Sequence, residues 1–570
     1  MTETIKLSTL DSHFADFIVR IDRHPGNELW WGAALASHAA GRGHTCFNLA
    51  DAPDGDVFPI QHTLRTPPPR DIRHWRESLE GCDTVGTPGA YTPLVLDPAG
   101  RLYLHRCWGY EQQVAAGILS RSKMPAIDEI RLDAALERYF PAVDLQRSAA
   151  RMALTRRFSV ISGGPGTGKT ATVARILALL LDMAGGAHPE IVLAAPTGKA
   201  ALRLHQSILQ ASGRLALSDD TRNCLPTGVS TIHRLLGVQT RRGGFRHNRD
   251  NRLTCDVLVV DEASMVDLQL MASLLEALRD DARVILLGDR NQLASVEAGA
   301  VLADICDSPD RAAVPVTQLT RSYRFGDDSG IAGLSQLINS GEGAAASELL
   351  KSGRYPDIRW RSLPAGRAFD EDFSAAVRDR YAAYAVAASP AEALAELGTF
   401  RVLSPLRSGP HGIEHLNRLC LNALVPGRNN DPRSMRPMPV MVTGNNYELG
   451  LFNGDTGVVM ESDGTQTVWF ENPEGGLRHF SPLRLPPFEA AFALTVHKSQ
   501  GSEFDGVLLI LPDRLSDVLS RELLYTAVTR ARSYIEIWGT EEVLCRTVER
   551  RTFRTSGLIE RLAAGGPNGK

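Results

Sequence analysis

The sequence predicts an α/β protein in which two lobes, each built on a parallel sheet, are accompanied by a separate N-terminal domain and a small inserted β-barrel. Three observations support this prediction. A glycine-rich loop stands between a strand-length apolar run and a helical segment. Two sets of short apolar runs without polar alternation follow one another along the chain, which is typical of parallel strands buried on both faces. Residues 435–487 differ from both sets because they contain short strands separated by turns.

The glycine-rich loop follows a predicted buried strand at 158–162 and precedes a helix predicted over 168–180. It consists of Gly163, Gly164, Pro165, Gly166, Thr167, Gly168, Lys169 and Thr170. Glycines at this spacing let backbone N–H groups and the helix N-terminus surround a polyphosphate. Lys169 is then placed to reach the β- and γ-phosphates, and the Thr170 hydroxyl to bind Mg²⁺. The loop therefore predicts a nucleotide site that uses ATP and Mg²⁺.

Length and composition narrow the class of protein. At 570 residues the chain exceeds the size of one ordinary hydrophobic core, so several domains are expected. A net charge of −4 excludes a broadly basic surface, so any contact with nucleic acid must be local. The eight cysteines show neither zinc nor disulfide spacing, which favours reduced thiols in a cytosolic protein. We find no secretory signal and no membrane-spanning apolar stretch, and we expect the chain to act in solution.

Changes in sequence texture predict the domain boundaries. We expect an N-terminal domain over 1–125 that binds a partner and carries no catalytic constellation. The first lobe is predicted over 140–312, with strands at 191–195, 257–260 and 284–287. The second lobe is predicted in two parts, 313–434 and 488–560, with strands at 400–404, 507–511 and 534–538; the β-barrel insert separates them at 435–487.

Four tryptophans stand out in the N-terminal domain. They are Trp30, Trp31, Trp75 and Trp108. Aromatic side chains of this kind are more often core residues than interface anchors, and we favour the core interpretation.

Two carboxylates and three further side chains predict the chemistry of the nucleotide site. Asp261 and Glu262 end the strand at 257–260, where Asp261 can hold Mg²⁺ and Glu262 can polarise the attacking water. Gln292, after the next strand, can sense the γ-phosphate. Arg324 and Arg530 can stabilise its transition-state charge from the second lobe. Each residue alone would fit an ordinary cap, turn or surface arginine.

Taken in order, the motifs resemble those of superfamily 1 helicases, and more narrowly those of the RecD family, the alpha subunits of bacterial exodeoxyribonuclease V. The motif segments are 145–146, 161–170, 195–201, 231–237, 261–265, 288–299, 492–504 and 524–532. The resemblance covers the chain from Gln146 to Arg532. It implies that both lobes are RecA-like and that the insert is an SH3-like barrel.

The resemblance also assigns roles to single residues. Gln146 is expected to read the adenine edge, Tyr323 to pack against the base and Glu503 to contact the ribose, while Arg324 and Arg530 act as γ-phosphate arginines. The expected contacts to the DNA backbone are Pro196, Thr197, Thr231, His233, Thr495 and His497. For each of these the alternative is a local cap or turn hydrogen bond.

The function that the resemblance implies is an ATP-dependent 5′→3′ helicase and translocase. It would act on single-stranded DNA and on double-stranded DNA ends, with RecB-like and RecC-like subunits in a heterotrimer of the bacterial cytoplasm, near the nucleoid. That complex would serve double-strand break repair by homologous recombination and DNA end degradation. Nuclease activity would reside in a partner subunit. Two alternatives stay open: a stand-alone helicase, and a nucleotide-switched binding module whose ATPase does not respond to DNA.

Overall fold

The structure, a computed structural model, describes residues 6–52, 68–122, 127–185, 187–213, 215, 219–226, 228–239, 243–310, 314–326, 328–424, 437–446, 448–462, 464–472 and 475–564. The predicted boundaries near residues 125, 312 and 434 therefore fall in or next to segments outside the described residues.

The N-terminal domain combines three helices with a four-stranded sheet of order β1-β4-β3-β2. Its elements, with the helix that leaves it, are α1 (Thr9–Ile21), α2 (Asn27–Gly41), β1 (Cys46–Asn48), α3 (Ile72–Glu80), β2 (Val85–Gly86), β3 (Leu94–Leu96), β4 (Arg101–Leu104) and α4 (His105–Leu119). Trp30, Trp31 and Trp75 are buried in the core of this domain, while Trp108 is half-buried against Tyr103. The core interpretation of the first three tryptophans is confirmed.

The first lobe carries a six-stranded, all-parallel sheet of order β10-β5-β9-β8-β6-β7. Its elements are α5 (Glu129–Tyr139), α6 (Leu145–Thr155), β5 (Phe158–Gly163), α7 (Lys169–Met183), β6 (Ile191–Ala195), α8 (Gly198–Gly213), α9 (Asp219–Cys224), β7 (Val229–Thr231), α10 (Ile232–Leu236), β8 (Val257–Val260), α11 (Leu268–Ala277), β9 (Arg283–Gly288), α12 (Val301–Asp307) and β10 (Val316–Leu319). The apolar runs at 191–195, 257–260 and 284–287 are strands, as predicted. They are buried on both faces because helices cover the sheet from each side.

Two boundaries predicted for the first lobe require correction. Strand β10 pairs in parallel with β5, so the lobe extends through Leu319 rather than ending at residue 312. Helix α4 belongs to the hydrophobic core of the first lobe, where Val114 and Ile118 share a cluster with Leu275. The N-terminal sheet therefore ends near Leu104, well before residue 125. Both errors arose because neither segment reveals its packing partner in its own sequence.

The second lobe carries a five-stranded parallel sheet of order β11-β20-β19-β12-β18. Its elements, with the strands of the insert, are α13 (Gly330–Ser340), α14 (Gly343–Lys351), β11 (Ile358–Ser362), α15 (Arg367–Arg380), α16 (Ala382–Ala385), α17 (Pro390–Thr399), β12 (Phe400–Ser404), α18 (Ile413–Leu424), β13 (Met438–Val442), β14 (Thr456–Ser462), β15 (Thr465–Glu471), β16 (Leu477–Phe480), β17 (Phe488–Ala490), β18 (Ala493–Thr495), β19 (Phe504–Ile510), α19 (Arg521–Val528), β20 (Ala531–Gly539) and α20 (Glu541–Glu549). The three strands predicted for this lobe correspond to β12, β19 and β20.

The insert is an antiparallel sheet of order β16-β15-β14-β13-β17, folded over a small core that includes Val440, Val468 and Phe470. Among the described residues β16 and β17 each pair with one strand, so the sheet is open at these edges. Strand β17 lies beyond the predicted end of the insert at residue 487.

After the second lobe, the chain returns to the first lobe. The prediction had instead extended the second lobe to residue 560. After α20, residues 550–557 run back across the molecule to α21 (Leu558–Ala564). Leu558 and Leu562 are buried in the same cluster as Val114 of α4 and Ile305 of α12. Within the described residues, no helix combines the length and apolar character needed to cross a membrane.

Candidate functional site

A cavity of about 380 Å³ lies between the two lobes, where the carboxyl ends of β5, β8 and β9 face the second lobe. Its lining includes Thr170, Ala171, Ala200, Arg203, Ser207, Gln210, Ala211, Asp261, Glu262, Gln292, Tyr323, Arg324, Glu503, Arg530 and residues 165–169 of the glycine-rich loop. The cavity therefore brings together side chains that lie more than three hundred residues apart in the sequence.

The glycine-rich loop turns tightly between β5 and α7 and contacts the segment that carries Arg324. Gly166 has φ +77°, and a Cβ atom there would lie 2.4 Å from the Cβ of Arg324, so only glycine fits. Lys169 Nζ donates hydrogen bonds to the carbonyls of Gly163 (2.6 Å) and Gly164 (3.2 Å). Loop, lysine and second-lobe arginine thus form one compact group.

The acidic pair follows β8 and faces the loop. The Glu262 N–H donates to Asp261 Oδ1 at 2.8 Å, and Glu262 has φ +51°, the one positive value among the described non-glycine residues. Strain of this kind persists where the surroundings fix a side chain's direction. Burial raises the pKa of Asp261 to about 6, and Glu262 adds to this while Lys169 opposes it. A carboxylate in this environment gains from a nearby cation.

Gln292 lies in a hydrogen-bonded group that crosses from one lobe to the other. Its Nε2 donates to Asp289 Oδ2 at 3.3 Å, and the Tyr525 hydroxyl of α19 donates to the same oxygen at 2.9 Å. The next N–H, of Leu293, donates to Thr526 Oγ1 at 2.9 Å. Sequence reasoning had not identified Asp289 or Tyr525. Asp289 stands in the predicted motif at 288–299, but its partner is visible only in the fold.

Both arginines predicted from the second lobe, Arg324 and Arg530, line the cavity. Arg324 Nη2 lies 2.7 Å from both carboxylate oxygens of Glu503, whereas its Nη1 is buried without a partner among the described residues. Arg530 is buried and donates to the carbonyls of Thr526 (3.1 Å) and Ser502 (3.0 Å). The guanidiniums are therefore held in position by the second lobe itself.

Glu503, which was predicted to contact the ribose, also pairs with other side chains of the protein. Its side chain is 5% exposed and is also paired with Arg203 of α8 and, at 3.4 Å, with Arg532 Nε. Burial alone would raise the pKa of Glu503, but Arg203 and Arg324 outweigh it and lower the pKa to about 2. Arg203 was not among the predicted site residues.

The two residues predicted to contact the base lie on one side of Gly168. A Cβ atom on Gly168 would lie 2.9 Å from Gln146 Nε2 and 3.6 Å from the Tyr323 ring. The Tyr323 ring is 57% exposed, while its N–H donates to the Gly166 carbonyl at 2.7 Å. An amide and an aromatic ring, over which the Arg321 guanidinium lies at 5.3 Å, thus flank the loop.

The threonines predicted to contact DNA follow strands and also make local hydrogen bonds. Thr197 Oγ1 accepts from Ala200 N–H, Thr231 Oγ1 from Arg234 N–H and Thr495 Oγ1 from Lys498 N–H, at 3.2–3.3 Å. The structure thus contains the local caps that were the alternative interpretation.

The other predicted DNA contacts differ in their surroundings. Pro196 is half-buried and directly precedes Thr197. Burial lowers the pKa of His233 and of His497, and the His233 ring lies 6.0 Å from that of Phe245. Both histidines are therefore neutral at pH 7 and would offer hydrogen bonds rather than charge to a phosphate.

A larger cavity, of about 540 Å³, lies between the β6–β7 edge of the first lobe and the antiparallel insert. It contains Lys199, whose pKa burial lowers to about 8, and Phe452. Neither the glycine-rich loop nor the pair Asp261 and Glu262 lines it, so this larger cavity does not bring together the residues predicted for the nucleotide.

Fold and site together define a two-lobed P-loop nucleotide-binding protein with arginines from the second lobe at its cavity. Residues 146–298 match the family described as AAA domain, and residues 490–535 match the UvrD-like helicase C-terminal domain, so the class is that of the DNA helicases. Residues 3–103 match the N-terminal domain of RecBCD enzyme subunit RecD.

Three relatives identify the family. RecBCD enzyme subunit RecD of Mycolicibacterium smegmatis is 38% identical over 578 residues, covering 98% of each chain. RecBCD enzyme subunit RecD of Haemophilus influenzae is 35% identical over 85% of this chain and 84% of its own. ATP-dependent RecD2 DNA helicase of Deinococcus radiodurans is 34% identical over 72% of this chain but 50% of its own. The chain belongs to the RecD family.

Proposed function

We propose that this chain is an ATP-dependent 5′→3′ DNA helicase and translocase that works as the RecD subunit of a RecBCD enzyme in double-strand break repair and DNA end degradation. One observation carries the proposal. The cavity between the lobes holds Lys169 and the acidic pair from one side and Arg324 and Arg530 from the other. A nucleotide bound there would contact both lobes at once, so its hydrolysis would change how they meet.

The residues of the cavity fit ATP with Mg²⁺. The Thr170 hydroxyl and the Asp261 carboxylate offer the hard oxygen ligands that Mg²⁺ prefers, and Mg²⁺ bound there would neutralise charge on the phosphates. The buried Nη1 of Arg324, which has no partner among the described residues, is a donor ready for an anion. We propose Glu262 as the residue that polarises the attacking water and Gln292 as the sensor of the γ-phosphate.

Contacts between the lobes offer a route from nucleotide to DNA. A Cβ atom on Gly501 would lie 3.5 Å from Thr197 Oγ1, so proposed DNA contacts of the first lobe adjoin the motif of the second lobe that contains Thr495 and His497. A threonine hydroxyl that accepts a helix N–H still has its own O–H to donate, so it can contact a backbone phosphate without reading sequence. We propose that closure of the lobes moves these contacts along single-stranded DNA, with the polarity of the family.

The proposed partners are RecB-like and RecC-like subunits. Relatives that match nearly the whole chain are named as RecBCD subunits, whereas the RecD2 helicase is matched over half of its length. This difference between the relatives favours the heterotrimer over a stand-alone helicase. We propose that nuclease activity resides in a partner subunit and that residues 1–104 form the partner-binding domain. We further propose that the antiparallel insert is SH3-like. None of the eight cysteines, all of which lie in described segments, is in a disulfide, and we propose a cytoplasmic location.

The ATPase rate of the purified chain, with and without single-stranded DNA, tests the proposal. We expect DNA to stimulate the rate, and Lys169→Ala to lower it at least about a thousandfold with unchanged thermal unfolding. Lys351→Ala removes a surface lysine paired with Glu541 and should behave as wild type.

Three results would revise the proposal. Normal turnover in Lys169→Ala would refute the nucleotide assignment. A rate that DNA does not change, even after RecB-like and RecC-like subunits are added, would favour the nucleotide-switched binding module. Strong unwinding by the chain alone would favour the stand-alone helicase.

A further inference from the structure

Arg203 occupies a position in the cleft that none of the proposed roles explains. It lies on α8 of the first lobe, lines the nucleotide cavity, and pairs with Glu503 of the second lobe. Its side chain is 35% exposed, against 5% for Glu503. The pair is therefore a direct ionic link between the lobes at the edge of the nucleotide site.

Arg203 shares its carboxylate with a predicted γ-phosphate arginine. Arg324 Nη2 lies 2.7 Å from each oxygen of Glu503, and Arg203 uses one of these two oxygens. A carboxylate that serves several guanidiniums attracts each of them less than it would attract one alone, because each added positive charge offsets part of its field. Arg203 therefore weakens the hold of Glu503 on Arg324.

The surroundings support an electrostatic role for Arg203. Burial would lower its pKa, but Glu503, Glu262 and Asp261 act in the opposite direction and raise it. The guanidinium thus lies within the field of the acidic pair as well as beside Glu503. Its position also links Glu503 of the second lobe to α8 of the first lobe.

We infer that Arg203 is a positioning residue that acts through Glu503: it shares this carboxylate with Arg324 across the cleft and so leaves Arg324 able to move to the γ-phosphate. The inference rests on the proposed ATPase function. Without Arg203, Glu503 retains Arg324 more strongly, and transition-state stabilisation falls. The phosphate loop and Lys169 are untouched, so nucleotide binding changes little.

Steady-state ATPase kinetics of the full chain, with saturating single-stranded DNA, separate these effects. For Arg203→Ala we expect kcat to fall roughly tenfold while KM for ATP stays within about threefold. Arg203→Lys keeps the charge but offers one ammonium group instead of the forked guanidinium. Its kcat should lie between those of wild type and Arg203→Ala. Arg279→Ala is the matched control, because Arg279 is 39% exposed and pairs with Asp256 and Asp281 inside the first lobe. It should stay within about twofold of wild type.

A second background tests whether Arg203 acts through Glu503. In Glu503→Gln the carboxylate charge is gone, so adding Arg203→Ala should change kcat by less than about twofold. An undiminished loss in that background, or a rise in KM at unchanged kcat, would mean that Arg203 contacts the nucleotide directly and would overturn the inference. Wild-type kinetics in a folded Arg203→Ala would overturn it as well. An inactive wild type would instead refute the proposed function.

Discussion

Two of the interfaces that the first lobe makes differ in construction. At the cleft, charged side chains face charged side chains around a cavity, with Arg203, Arg324 and Glu503 as the principal group. At the second interface, residues 550–564 run between the N-terminal domain and the first lobe. Here Arg554 donates to the main-chain carbonyls of Ser295, Glu297 and Gly299.

Main-chain contacts extend along this second interface, which we call the C-terminal junction (residues 43–45, 111, 295–304 and 550–564). The Thr45 N–H donates to the Thr555 carbonyl at 3.0 Å, and the Gly299 N–H to the Gly43 carbonyl at 2.9 Å. The side chain of Glu111, fully buried, accepts from Gly557 N–H and from Arg561 Nε, both at 3.1 Å.

These two kinds of contact explain how the first lobe can move against the second lobe and stay fixed to the N-terminal domain. Ion pairs between side chains can exchange partners by rotation about side-chain bonds, and a phosphate can replace a carboxylate. Hydrogen bonds between two main-chain groups, such as Thr45 to Thr555 and Gly299 to Gly43, cannot be exchanged unless the backbone moves. We therefore expect the cleft to change during the nucleotide cycle and the C-terminal junction to hold the N-terminal domain on the first lobe.

Of the changes at the two interfaces, replacing Arg324 at the cleft should have the largest effect, and the effect should be on activity. Arg324→Ala removes a proposed γ-phosphate donor, and we expect ATP turnover to fall about a thousandfold with little change in thermal unfolding. Arg367→Ala is the control, because Arg367 is 92% exposed and pairs with Glu371 on α15, away from the cavity. Turnover within tenfold of wild type for Arg324→Ala would contradict its role.

Replacing Glu111 should break the C-terminal junction and affect stability instead. Glu111→Ala leaves the Arg561 guanidinium and the Gly557 N–H without their acceptor, and we expect the free energy of unfolding to fall by about 3–5 kcal/mol. Urea unfolding measures this. Glu560→Ala, which removes a carboxylate that is 64% exposed and pairs with Arg101, should cost less than about 1 kcal/mol. Equal losses in the two variants would show that the junction is not held by Glu111.

Asp304, in the C-terminal junction, should make the free energy of unfolding depend on pH. Burial raises the pKa of Asp304 from 3.8 to about 7, although a hydrogen bond from Ser556 partly opposes this. Since the folded pKa exceeds the unfolded one, its ionisation penalty is absent below pH 3.8, grows as the pH rises toward 7 and is complete above that.

The variant Asp304→Asn removes this penalty. At pH 8 it should be more stable than wild type by roughly 1–3 kcal/mol, and the gain should shrink as the pH falls toward 4. Thermal unfolding across this pH range measures it, and ATP affinity at pH 8 should stay within about twofold. A stability gain that is independent of pH would refute the titration of Asp304.

The sequence predicted the features that depend on residues close together in the chain. The phosphate loop, the acidic pair and the strand β8 are specified by patterns that lie within a few residues of one another. The second-lobe arginines were placed at the cavity by the order of the motifs, and Arg324 and Arg530 do line it.

The parts that sequence did not predict depend on contacts between distant segments. Strand β10, with Thr317 and Gln318 at its centre, shows no buried apolar run, and its place beside β5 follows from the sheet alone. The Arg203–Glu503 pair joins residues three hundred positions apart. The return of residues 550–564 to the first lobe likewise has no local signature.

Hydrogen exchange of the full chain, with and without a non-hydrolysable ATP analogue and single-stranded DNA, tests whether the cleft changes while the C-terminal junction stays fixed. We expect the ligands to change the exchange of cleft amides, such as that of Leu293, which donates to the Thr526 side chain of the second lobe. Junction amides, such as Thr45 and Gly557, should exchange at the same rate in both states. Equal changes at the cleft and at the C-terminal junction would mean that the first lobe is held no more firmly to the N-terminal domain than to the second lobe.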